Sequence, residues 1–181
     1  MRAKTWFQAV LMGVMAVGIS GSVMADDVKP QTKVFKSWTF ECATPAPAAG
    51  ATTQPKPFCI VHHEIPSQND KTKTLLIATS RYIGKDRKLA MILRLPPVTN
   101  LQKGVVFNID TNPAYKAKIV SCTPQLCTSL FEITDDMLKQ LRAGVIMNIE
   151  FAVTNGQPLV KLTLPLDGYA TALDALKKTG L

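Results

Sequence analysis

The chain has only two histidines, His62 and His63, and its four cysteines are never spaced C-x-x-C. So few imidazoles leave little material for a histidine-built metal centre or for a nucleophile with its base. Without C-x-x-C there is no thioredoxin-like redox pair. No G-x-S-x-G is present, which removes the hydrolase elbow. Gly104 and Gly168 stand singly, so no glycine-rich loop can cradle a phosphate. Beyond the N-terminus no apolar run approaches the roughly 20 residues that a membrane helix needs. Basic residues are not bunched either. The densest stretch, residues 81–88 (RYIGKDRK), contains Asp86 and reads as a solvated turn, not as a nucleic-acid contact.

What is present begins at the N-terminus. Arg2 and Lys4 precede the apolar run 10–19, and Val23-Met24-Ala25 leads into Asp26-Asp27. This is the layout of a secretory signal peptide over residues 1–25. It predicts an exported chain whose mature part, residues 26–181, is one domain. No cysteine follows the cleavage point, so no lipid anchor is expected. Residues 1–25 hold two of the 21 basic and none of the 13 acidic residues. The remaining 156 therefore carry 19 basic against 13 acidic residues, a net +6. That length supports a real core. A mild positive charge favours a protein partner or an anionic component of the envelope or of a host surface, with no nucleic acid. The expected location is the periplasm, association with the outer membrane, or the medium.

Cys42, Cys59, Cys122 and Cys127 all lie in the mature part. An even count in an oxidising compartment predicts two disulfides. Three connectivities are possible. The local one, Cys42–Cys59 with Cys122–Cys127, is favoured because each pair encloses a turn-rich segment. A zinc site would need two close cysteine pairs, and Cys42 and Cys59 are not one.

Short β-rich runs separated by turn residues fill most of the chain. Residues 34–42 alternate as one strand, with Val34, Trp38 and Phe40 facing the core. Residues 44–57 hold four prolines and read as an extended loop. Strands are expected at 58–65, 73–83, 89–95, 105–110, 115–121 and 127–133. A hairpin follows over 145–153 and 159–164, turning at Asn155-Gly156. Thr134-Asp135-Asp136 opens a short helix that stops at Gly144. Asp167-Gly168 caps a second one, with Tyr169, Leu173 and Leu176 on its docking face. The pattern predicts a mainly β fold, an antiparallel sandwich or barrel with one or two short helices.

Three groups of residues carry a family resemblance. The first is Trp38 and Cys42 followed by Cys59-Ile60. The second is Leu93-Arg94-Leu95-Pro96-Pro97 running into residues 104–110. The third is Cys122-x4-Cys127, residues 135–144, Gly156-Gln157-Pro158, and residues 162–169 with Ala172 and Leu173. In this order and spacing they resemble the invasion-associated locus B family of exported bacterial proteins, over nearly the whole mature chain. The chain departs from that pattern at Tyr169, where Phe is expected, and at Leu126, where Gly is expected. The resemblance implies an envelope-associated, disulfide-bonded β domain, linked in pathogens to entry into host cells. It carries no catalytic motif to transfer, and the expected role is binding.

Two other functions find a starting residue set in the chain. If His62 and Glu64 share a strand face, they could begin a metal site, but no third ligand suggests itself. An enzyme inhibitor would need a protruding loop, and Thr79-Ser80-Arg81-Tyr82 is the nearest candidate. No carboxylate pair has a sequence reason to face another across a cleft. No catalytic residue, cofactor or metal ligand is therefore assigned.

Overall fold

The computed structural model describes residues 31–180 apart from 48–49, 51–52, 54, 69, 72 and 155–157. The expected signal peptide and the Asn155-Gly156 turn lie outside the described residues. In chain order the elements are β1 (Gln31–Phe35), β2 (Trp38–Ala43), β3 (Phe58–Pro66), β4 (Thr74–Ile83), β5 (Lys88–Leu95), β6 (Val105–Ile109) and β7 (Tyr115–Ala117). They continue with β8 (Ile119–Cys122), β9 (Cys127–Glu132), α1 (Asp135–Ala143), β10 (Ile146–Phe151), β11 (Val160–Pro165) and α2 (Tyr169–Lys178).

All strand pairing between these elements is antiparallel. One sheet has seven strands in the order β1-β2-β3-β4-β5-β9-β8, and the other has four in the order β11-β10-β6-β7. Both sheets keep open edges, so the architecture is two layers and not a barrel. Strand alternation decides what goes between the layers. Phe40, Val61, Leu76, Ala78, Met91 and Leu93 line the inward face of the large sheet, all buried. Val105, Phe107, Ile109, Met147, Ile149, Phe151 and Leu164 answer them from the small sheet. The stack of Phe107 on Phe131, 4.6 Å between centroids, is one contact across the layers.

α2 fills the rest of the second layer and packs on β1, β2 and β3. Its Tyr169, Ala172, Leu173 and Leu176 are buried, the docking stripe read from the sequence. Trp38 is fully buried against the Tyr169 ring at 4.5 Å, and its Nε1 donates to the Pro165 carbonyl at 2.9 Å. An indole needs such an acceptor when it leaves water. α1 starts where expected: the Thr134 side chain accepts from the Met137 amide at 3.3 Å, with Asp135 and Asp136 in the first turn.

Three local expectations are corrected. Residues 34–42 are not one strand but the hairpin of β1 and β2, and Val34 is 65 % exposed instead of in the core. Lys36 takes a positive φ of 52° in the two-residue connection. Residues 115–121 divide at Lys118, which hands the chain from the small sheet to the large one. Asp167 does not cap α2. It accepts from Ser37 Oγ at 2.5 Å, and the cap position is Gly168 with φ +87°. A β-carbon at Gly168 would overlap the Phe35 carbonyl, so glycine is required there.

Candidate functional site

The histidines occupy opposite faces of β3, as alternation demands. His63 points inward, 5.8 Å from the Trp38 ring, and its Nδ1 donates to the Ser37 carbonyl. A carbonyl can only accept, so that nitrogen carries the proton. His62 and Glu64 share the outer face. His62 pairs with Thr39 and Thr79, and Glu64 pairs with Ile77 and accepts from Thr74 Oγ1 at 3.5 Å. Among the described residues no three His, Cys, Asp or Glu side chains come together as a metal would need.

Thr79-Ser80-Arg81-Tyr82 is not a protruding loop. It lies within β4, with Thr79 and Ser80 buried, so it offers no inhibitory tip. Ser80 Oγ bonds the Tyr169 hydroxyl at 2.8 Å inside the core. Burial pushes the Tyr169 phenol well above its ordinary range, and the Ser80 bond opposes that shift. Many carboxylates have structural partners. Asp110 accepts from the amides of Val145 and Ile146 at 3.0–3.2 Å. Glu132 pairs with Lys88 at 2.9 Å and Glu150 with Lys161 at 2.8 Å. Asp174 is held below the ordinary carboxylate range by its hydrogen bond to Arg142.

The cysteines are joined as Cys42–Cys59, bridging the paired strands β2 and β3, and Cys122–Cys127, bridging β8 and β9. No described cysteine is free. A thiol nucleophile at Cys127 is therefore not on offer.

What remains is surface, and the two outer faces differ. The small sheet turns Asn108, Lys116, Asn148, Glu150, Lys161 and Thr163 outward with Val106 and Ile146 among them, a mostly polar face. The large sheet turns out an aliphatic residue in each cross-strand row. One row runs Ile60, Arg81, Ala90, Glu132 and the next His62, Thr79, Ile92, Leu130. A third runs Glu64, Ile77, Arg94, Thr128. Leu130 is 38 % exposed and its neighbour Val120 58 %. Three polar atoms on this face, His62 Nδ1, Thr79 Oγ1 and Arg81 Nε, are buried without a hydrogen-bond partner among the described residues. The Arg81 guanidinium also sits 5.6 Å from the centroid of the Phe58 ring. None of this was legible as a site, because the rows join residues from β3 to β9 that only register brings together.

At one end the third row opens into a cleft of about 450 Å³ between the β3–β4 connection, Pro96-Pro97 and the loop closed by Cys122–Cys127.

Comparison with known proteins agrees with this architecture. The family description "Invasion associated locus B (IalB) protein" matches residues 38–177. The crystal structure of invasion associated protein b from Bartonella henselae is similar with a TM-score of 0.68, over 83% of this chain and 97% of that one, at 18% sequence identity. At that identity the likeness concerns the fold. Among curated proteins no match is found. The matched span begins at Trp38 in β2 and ends at Lys177 in α2, taking in both sheets, both helices and all four cysteines. The chain belongs to the invasion associated locus B family.

Proposed function

We propose that the protein is exported, is associated with the cell envelope, and acts by surface recognition without catalysis. In this reading residues 1–25 are the signal peptide and residues 26–181 the single mature domain. The disulfides support export, since such bonds persist in oxidising compartments. The observation that carries the binding role is the asymmetry of the outer faces. The small sheet sets only Val106 and Ile146 among polar neighbours on its outer face, which water can serve. The aliphatic rows of the large sheet, edged by Arg81, Arg94, Glu41 and Glu132, combine apolar area with charge as a recognition surface does. The net +6 of the mature part steers it to an anionic protein or surface component. Family membership extends the proposal to contact with a host cell, by way of the name the family bears.

The test is capture from envelope and host-membrane extracts with the oxidised mature protein, its reduced form, and the variant Ile92→Glu. Ile92 is half-buried on the outer face, so the variant charges the middle row and leaves the inward core untouched. A saturable partner held by the oxidised protein and lost with I92E supports the reading. Capture unchanged by I92E, or no capture from either extract, overturns it.

A further inference from the structure

We infer that the cleft beside the Cys122–Cys127 loop is a binding site for a small amphipathic carboxylate, a single apolar chain ending in an anionic group. Its walls come from separate elements and meet in one concavity. Leu75 and Ile77 of β4 form the floor, Pro96 and Pro97 follow β5, and Leu126 closes it from the disulfide loop. A volume of about 450 Å³ lies in the range of small-molecule sites, on the order of 300–1,000 Å³. It is concave, and a flat membrane surface would not fill it.

Two cations stand on the lining, Lys73 and Arg94, and no lining residue is acidic. Lys73 is already paired with Asp70 at 3.2 Å. Glu64, the acid beyond Ile77 in the same row, bonds Thr74. Arg94 is exposed and has neither a hydrogen bond nor an ion pair among the described residues. It is flanked by Ile77 on β4 and Thr128 on β9, so no acid is its cross-strand neighbour. A guanidinium presents a planar fork that fits a carboxylate through two parallel hydrogen bonds. Placed at the edge of a Leu/Ile/Pro floor, it selects a ligand with its charge at one end.

The ligand is an acyl-type chain and not a peptide for a physical reason. A peptide brings backbone amides and carbonyls that must be satisfied. The wall facing β4 is Pro96 and Pro97, which have no N–H to donate, and of β4 only residues 74–76 run past the end of the β5 ladder, so the cleft offers apolar side chains and little backbone to answer a peptide.

The inference deepens the binding reading, because the cleft is the end of the same outer face. The two fail separately: I92E tests capture of the large partner, and the cleft is tested by titration. The probe is sodium decanoate, titrated calorimetrically into the oxidised mature protein. Decyltrimethylammonium serves as the same chain with opposite charge, and N-acetyl-Leu-Leu as a peptide carboxylate. Saturable binding of decanoate at one site is expected, weakened about tenfold by Arg94→Gln through loss of a charge-assisted contact. Leu126→Glu, which places a like charge in the cleft, abolishes it. Lys161→Gln on the other sheet leaves it unchanged. No binding, equal binding of decyltrimethylammonium, or indifference to R94Q and L126E overturns the site. Tighter binding of N-acetyl-Leu-Leu than of decanoate overturns the acyl-chain assignment.

Discussion

Tyr169 carries one of the few ionisable groups in the core, and one hydroxyl decides its behaviour. The phenol is fully buried, bonded to Ser80 Oγ at 2.8 Å and packed on Trp38. Its folded-state pKa is raised, first by burial. A raised pKa gives stability that is whole below the unfolded value, about 10 for a phenol, and is lost as pH climbs above it. Urea midpoints should therefore be flat through neutral pH and fall above about pH 10. Tyr169→Phe should flatten that alkaline fall. At neutral pH it should lose about 1–3 kcal/mol, because the Ser80 hydroxyl stays buried without its partner. Adding Ser80→Ala should return much of that loss. A full alkaline fall in Y169F would mean that another group controls the transition.

At the scale of elements, legibility followed the reach of the signal along the chain. β3, β4, β5 and β9 lie close to where alternation and turn residues put them. So do both helices, since Thr134, Gly144 and the Tyr169 to Leu176 stripe act within a few residues. The β1–β2 turn was missed because Lys36-Ser37 contains neither Gly nor Asn, the residues that announce a tight hairpin. The break at Lys118 was missed because nothing local marks a strand that changes sheets. The cleft is farther from view: Ile77, Arg94 and Leu126 meet only through register and a disulfide loop. Asp110 shows the same limit in an energetic contact. It reads as an acid at a strand end, yet it takes a positive φ of 49° and accepts from Val145 and Ile146, some 35 residues on. It thereby ties the end of β6 to the start of β10, and Gly144 leaves room for it. Asp110→Ala should cost about 1–3 kcal/mol by orphaning those amides. Asp110→Asn keeps one acceptor oxygen and tolerates the left-handed backbone, so it should cost less. Chemical denaturation of both variants checks the order, and equal losses would make the carboxylate charge, which both variants remove, the cause instead of the acceptor oxygen that Asn keeps.

For the molecule as a whole, the placement of the disulfides separates stability from binding. Both lie within the large sheet, and neither ties it to the second layer. The layers are held instead by the apolar core, with Trp38 to Pro165, Ser80 to Tyr169 and Phe107 on Phe131 across the gap. Losing one bridge should therefore leave a cooperative two-layer fold of lower stability. Chain entropy ranks the two. Cys42 and Cys59 are 17 residues apart and Cys122 and Cys127 only 5, which gives roughly 3 and roughly 2 kcal/mol. The paired variant C42S/C59S should thus lower the urea midpoint more than C122S/C127S. Ligand binding should rank the other way, because Cys122–Cys127 fixes the loop that carries Leu126 into the cleft while Cys59 sits at the end of β3 away from the cleft. Decanoate titration of both variants, under conditions where each is folded, tests that inversion. A parallel ranking, in which the less stable variant is also the weaker binder, would mean that binding follows global stability and that the loop is not the wall the cleft depends on.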